Sequence, residues 1–120
     1  MTPTDQPSGR LMAALTGIET AAADNIARSR ELKRRARFLR ARLEAGDHLI
    51  DLVEQEPTPR MVELLTSNMT ELETSGAEFR AAEALALRAE GLTIEAIATL
   101  FGVTRQRVSA LLKQKASLEP

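Results

Sequence analysis

The fold is decided by residues 93–112, TIEAIATLFGVTRQRVSALL, which carry a helix signal on each side of a glycine. Thr93 and Thr104 are each placed to accept a hydrogen bond from a backbone amide in the first turn of a helix. Gly102 lies between the two helices, where a tight turn needs the positive φ that glycine adopts at low cost. Two short helices joined by a three- to four-residue turn with a glycine are a helix-turn-helix, which we predict here.

The side chains of this stretch separate an apolar face from a polar one. Five positions are expected to be buried between the two helices: Ile97, Phe101, Val103, Val108 and Leu111. Four polar residues face outward on the second helix: Arg105, Gln106, Ser109 and Lys113. Arginine forks onto guanine and glutamine onto adenine, while serine and lysine bind phosphates or bases. The pattern predicts binding to double-stranded DNA, and a helical hairpin with a solvated polar face is the alternative.

The segments 91–97 and 101–108 resemble the −35-reading helix-turn-helix of bacterial sigma-70 factors, region 4. Related versions occur in response regulators and in serine recombinases. The resemblance covers about 40 residues, 77–116, and the chain lacks the aromatic promoter-melting region of a complete sigma factor. It implies that Arg105, Gln106 and Ser109 read bases in the major groove. It also implies that four residues hold phosphates: Thr93, Thr104, Arg107 and Lys113.

Composition predicts an all-α protein, because the 120 residues include 19 Ala and 17 Leu but only 9 Val and Ile together. We predict a long coiled-coil-like helix, a short second helix beginning at Thr58-Pro59, and a third opened by a Ser75–Glu78 capping box. This third helix and the two helices of the helix-turn-helix together form a tri-helical DNA-binding domain. The predicted segments are a tail (1–9), a dimerisation or partner-binding hairpin (10–74), a DNA-binding domain (75–116) and a tail (117–120).

Apolar residues recur every three or four positions between about Arg10 and Gln55, which is typical of a coiled-coil seam. Gly46 is a point where this helix bends or splits. A hairpin about Pro57 sets Val53 opposite Val62 and leaves the seam before residue 41 bare. We therefore predict a homodimer through residues 11–53. An antiparallel pair is favoured because it offsets the basic run toward acidic residues of the second copy.

Residues 28–42 contain eight cations and one acid, whereas residues 44–73 contain eight acids and one cation. Three interpretations of the basic run remain open: a solvated helix face, contact with DNA phosphates, and pairing with an acidic segment of a partner. The candidate auxiliary phosphate contacts are Arg34, Arg35 and Arg37. Within one chain, the expected hairpin sets acids beside acids and leaves this run without neutralisation.

Other classes of function are disfavoured by composition. Without Cys, Trp or Tyr, and with His48 as the lone histidine, the chain offers no thiolate nucleophile, multi-histidine metal site or aromatic stacking platform. We expect no enzyme activity, no cofactor, no membrane span and a cytoplasmic location. The leading interpretation is a bacterial, phage or plasmid transcriptional regulator. The alternatives are an adaptor that binds RNA polymerase through its helical part, and a coiled-coil adaptor that binds no DNA.

Overall fold

A computed structural model describes residues 6–114, and all regular secondary structure in that range is α-helical. The helices are α1 (Pro7–Glu44), α2 (Leu49–Glu54), α3 (Met61–Ala89), α4 (Ile94–Phe101) and α5 (Arg105–Lys113). The predicted all-α class, with a long N-terminal helix and a C-terminal helix-turn-helix, is confirmed. Of the two predicted tails, residues 1–5 and 117–120 lie outside the described residues.

The first helix begins earlier and ends earlier than its apolar pattern predicts. It starts at Pro7, a residue that fits the first turn of a helix because its missing N–H has no intrahelical partner there. Residues 7–9 are therefore helical rather than part of a tail. α1 ends at Glu44 because Gly46 adopts a φ of 98° and donates its amide to the carbonyl of Leu43 at 3.0 Å. The expected split at Gly46 is thus observed.

The third helix corrects two predicted boundaries. It begins at Met61, whose amide donates to Glu56 Oε2 at 2.7 Å, so a carboxylate takes the capping role predicted for Thr58. It then continues through Ser75-Gly76, where the capping box predicted a new helix. Glycine inside a helix costs about 1 kcal/mol, and burial of α3 side chains before and after this point outweighs that cost. Glu78 is buried in an ion pair instead of closing a capping box.

The described chain divides into two compact units. The terminal unit consists of Met1–Thr20 and Glu73–Pro120, and the central unit is Ala21–Leu72. The predicted boundary near residue 74 lies close to the division at Leu72, but it falls inside a continuous helix. A dimerisation role for residues 10–74 remains a prediction. Among residues 6–114, no helix has the length and apolar character needed to cross a membrane.

Within the central unit, the register between α1 and α3 differs from the predicted hairpin. Arg28 Nη1 donates to Asn68 Oδ1 at 3.3 Å, and Asn68 Nδ2 donates to Ser29 Oγ at 3.4 Å. A sum of about 115 between facing residue numbers is therefore wrong here, since these pairs sum to less than 100. The register differs because α1 ends at Glu44 rather than near residue 55. The chain therefore reverses direction through residues 45–60, which include α2, instead of about Pro57.

This register also corrects two predictions that rested on the hairpin, namely an uncovered seam before residue 41 and a basic run without neutralisation. The seam before residue 41 is not bare, because α3 packs along α1 from Arg28 onward and Leu32, Ala36 and Leu39 are partly buried. The basic run is partly neutralised within the chain. Arg28 Nη2 lies 3.1 Å from Glu71 Oε2, and Arg42 Nε lies 2.6 Å from Asp47 Oδ2.

Candidate nucleic-acid interface

The helix-turn-helix packs on the C-terminal part of α3, inside the terminal unit. Six buried residues form this core: Ala81, Ala84, Ile97, Ala98, Val108 and Leu111. The alanines of α3 allow the two short helices to approach its backbone closely, while Ile97, Val108 and Leu111 fill the space between helices. Burial of these three residues and of Ala98 confirms the predicted packing, and Phe101 is partly buried against the same cluster.

Val103 is the exception, because it remains 40% exposed where burial was predicted. It follows Gly102 directly, in the turn between α4 and α5. Its amide donates to the carbonyl of Ala98 at 3.0 Å, so the backbone of Val103 rather than its side chain closes the turn. A hydrophobic side chain at this position is therefore left at the surface.

The ends of the short helices are fixed by the residues that the sequence indicates. Thr93 Oγ1 accepts from the amide of Ala96 at 3.1 Å, and Thr104 Oγ1 accepts from the amide of Arg107 at 3.1 Å. Gly102 takes a left-handed conformation with φ 68° and ψ 35°, as the tight turn requires. Each threonine hydroxyl accepts one bond in its cap and keeps its own O–H as a donor toward a ligand.

Three predicted base-reading residues and one predicted phosphate contact, Lys113, lie together on one side of α5. Arg105, Gln106, Ser109 and Lys113 line a shallow concave surface that also includes Ile94 and Ala110. Two cations and no acid line this surface, so it favours an anionic ligand. Arg107 is exposed as well, but it follows Arg105 by two residues and therefore projects from another side of the helix.

Sequence reasoning did not include Ile94 and Ala110 in this surface. Ala110 follows Gln106 by one helical turn, so helical periodicity alone would have found it. Ile94 belongs to α4 and joins the surface through the packing of the two helices, for which the local sequence carries no signal.

A buried ion pair in the terminal unit was also not predicted. Arg10 Nε donates to Glu78 Oε2 at 2.9 Å, and Arg10 Nη2 donates to Glu78 Oε1 at 3.0 Å. Arg10 Nη1 donates in addition to the backbone carbonyl of Gln114 at 3.0 Å, directly after the end of α5. The start of α1 is thereby bonded both to α3 and to the C-terminus of the reading helix. These partners are 68 and 104 residues apart in sequence, beyond the reach of local patterns.

The three candidate auxiliary contacts, Arg34, Arg35 and Arg37, lie in the central unit and differ in their surroundings. The side chain of Arg35 is only 17% exposed, pairs with Glu31 and donates to the carbonyl of Pro59 at 2.6 Å. Arg34 is exposed and also pairs with Glu31. Arg37 is exposed, and no acid among the described residues pairs with it.

Comparison with protein families shows that residues 76–120 match the model of a homeodomain-like domain, a helix-turn-helix family. The match covers the C-terminal part of α3 together with α4 and α5, which are the elements that form the core described above. Neither the curated proteins nor the solved structures yielded a match to this chain. The C-terminal region of the chain is therefore similar to a homeodomain-like helix-turn-helix domain.

Proposed function

We propose that this chain is a sequence-specific DNA-binding regulator of transcription that places α5 in the major groove. The observation that carries the proposal is the grouping of Arg105, Gln106, Ser109 and Lys113 on one exposed surface of a capped helix. The similarity to a homeodomain-like domain supports the same function. The proposal includes a sigma-70 region 4-like mode of reading, a bacterial or phage setting, a cytoplasmic location and no catalytic role.

The side chains of this surface fall into two sets, those that suit base edges and those that suit phosphates. Arg105 and Gln106 lie in the first turn of α5, where a recognition helix approaches base edges, and their forked donors fit guanine and adenine respectively. Ser109 follows one turn later and bonds to either, while the methyl group of Ala110 suits contact with a thymine methyl. The phosphate contacts proposed are the hydroxyls of Thr93 and Thr104 with the cations of Arg107 and Lys113.

Selection of bound sites from a random duplex pool tests this proposal and supplies a preferred site. Arg105→Ala is then expected to lose about 1–3 kcal/mol of binding free energy on that site and little on random duplex. Lys113→Ala, which also removes one cation from α5, is the matched control. It is expected to weaken both duplexes alike and to reduce the slope of log affinity against log salt by about one. Equal losses on both duplexes for Arg105→Ala would contradict base reading by this residue.

We also propose that the protein acts as a homodimer, with α3 of the central unit as the pairing surface in place of residues 11–53. Four apolar side chains of α3 recur at the 3-4-3 spacing of a coiled-coil seam and are 42–72% exposed: Val62, Leu65, Met69 and Leu72. Thr66, Ser67 and Thr70, which lie between them in the sequence, are exposed and uncharged, whereas Glu63 is exposed and charged. An antiparallel pair about a two-fold axis sets Val62 against Leu72 and Leu65 against Met69, so the stripe is complementary to itself.

Sedimentation equilibrium at tens of micromolar tests the dimer and its surface. The intact chain is expected to be a dimer, and Leu65→Glu with Met69→Glu is expected to be a monomer. Phe38→Glu with Ile50→Glu, two exposed apolar positions elsewhere in the central unit, is the matched control and is expected to stay dimeric. A monomeric intact chain would refute the dimer, and dissociation by the control pair alone would refute the α3 surface. RNA polymerase as a partner remains a prediction for a pull-down from lysate.

A further inference from the structure

The central unit carries a stripe of cations that the reading of bases by α5 does not use. Four side chains on one face of α1 form it: Arg30, Lys33, Arg37 and Arg40. They follow one another by three or four residues, so they lie on the same side of the helix, and all four are exposed. We call this set the basic stripe.

The basic stripe differs from the other cations of residues 28–42 because its members have no acidic partner within the part of the chain that the structure describes. Arg28 pairs with Glu71 and Arg42 pairs with Asp47. Arg34 and Arg35 both pair with Glu31. Like charges at a spacing of three or four residues destabilise a helix. Glu44 follows Arg40 by one helical turn on the same face, but no ion pair joins the two.

We propose that the basic stripe is a second DNA-contact surface, which binds the phosphates of duplex DNA without reading its sequence. Ten residues separate Arg30 from Arg40, so the stripe is about 15 Å long. Each strand of duplex DNA winds around the helix axis as it presents its phosphates, so a straight stripe of this length meets a few of them. This inference rests on the proposed DNA-binding function and adds a surface to it.

The composition of the stripe favours a polyanion over an acidic protein as its ligand. Protein interfaces have an apolar centre from which charges are depleted, and aromatic anchors are enriched there. No other side chain of residues 30–40 lies within the narrow face that the four cations define. Arg34 and Ala36 flank this face on its two sides, and only Arg40 also borders an apolar groove, with Leu39 and Leu43. Three of the four stripe residues are arginines, whose planar donors suit phosphate oxygens.

A salt series on the full-length protein tests the stripe, with fluorescence anisotropy on the selected site and on a random duplex. The test variant is Lys33→Gln with Arg37→Gln. The matched control is Arg42→Gln with Arg80→Gln, which removes the same charge from two exposed cations that are ion-paired with Asp47 and Glu73. Circular dichroism melting is expected to show that both variants keep their helical fold.

The test variant is expected to lower the slope of log affinity against log salt by about two on both duplexes, because each phosphate that is no longer neutralised reduces the slope by about 0.9. Its preference for the selected site over random duplex should be unchanged. The control is expected to keep a slope near that of the wild type. Equal slopes for the two variants, with Arg105→Ala still losing preference, would overturn the stripe and leave the α5 proposal standing. A wild-type protein that binds neither duplex would overturn both.

Discussion

The two units of this chain bury their side chains to different degrees. In the terminal unit, Ile97 and Val108 are fully buried, and the Arg10–Glu78 pair is buried in the same unit. In the central unit, Ala21, Leu64 and Asn68 are the buried residues among those described. α2 contributes none. The terminal unit thus has a closed core, whereas the central unit combines polar bonds between its helices with partly buried apolar side chains and leaves further apolar surface exposed.

The two units are therefore stabilised by different kinds of interaction. A closed core stabilises a single arrangement of α4 and α5, which a reading surface requires for its geometry. The central unit adds to its partly buried apolar contacts a polar layer between α1 and α3, formed by Arg28, Ser29, Asn68 and Glu71. The exposed apolar stripe of α3 and the basic stripe of α1 fit a unit whose remaining contacts come from other molecules.

The largest expected effect is the loss of the buried ion pair in the terminal unit. Arg10→Ala removes three hydrogen bonds, two to Glu78 and one to the carbonyl of Gln114, and is expected to destabilise the protein by about 4–5 kcal/mol. Guanidinium denaturation measures this change. Arg80→Ala, which breaks an exposed pair with Glu73, is the control and should cost less than about 1 kcal/mol. Equal costs for the two variants would show that the buried pair does not stabilise the terminal unit.

The next prediction compares the cost in stability of truncating one buried aliphatic side chain in each unit. Ile97→Ala is expected to cost about 3–4 kcal/mol, because the surrounding core is closed and the cavity cannot collapse fully. Leu64→Ala in the central unit is expected to cost about 2 kcal/mol, since Leu64 retains some exposure and its neighbours can move in. The same denaturation experiment measures both. A larger cost at Leu64 than at Ile97 would reverse the contrast between the units.

The smallest expected effect concerns the backbone conformation of the turn between α4 and α5 in the terminal unit. Gly102→Ala is expected to destabilise the protein by about 1 kcal/mol, because alanine is strained at a φ of 68°. Gly17 is the matched glycine, since it lies inside α1 and an added Cβ meets no atom within 4 Å. Gly17→Ala should therefore stabilise by about 0.5–1 kcal/mol. Thermal melts of both variants decide the point, and a shift of the same sign would contradict the assigned turn.

Sequence patterns predict the local parts of this fold and fail at its long-range parts. Thr93, Thr104 and Gly102 act through bonds and dihedral angles within four residues, so their roles are visible in the sequence. The side of α5 that carries Arg105 and Gln106 follows from helical periodicity for the same reason. The capping box at Ser75 is equally clear as a pattern, but burial along α3 outweighs it. The Arg10 contacts and the α1–α3 register depend on packing between distant segments, which leaves no local signal.

Arg10 belongs to the same compact unit as the helix-turn-helix, although it lies near the other end of the sequence. The homeodomain-like match begins at residue 76, yet the unit that holds α4 and α5 draws its first twenty residues from the other end of the chain. Its polypeptide is therefore discontinuous, and residues 21–72 are inserted between its two parts. A fragment or fusion cut at the family boundary would omit the helical segment that supplies Arg10. Exchange of modules between such proteins would preserve the reading unit only if both of its segments were transferred together.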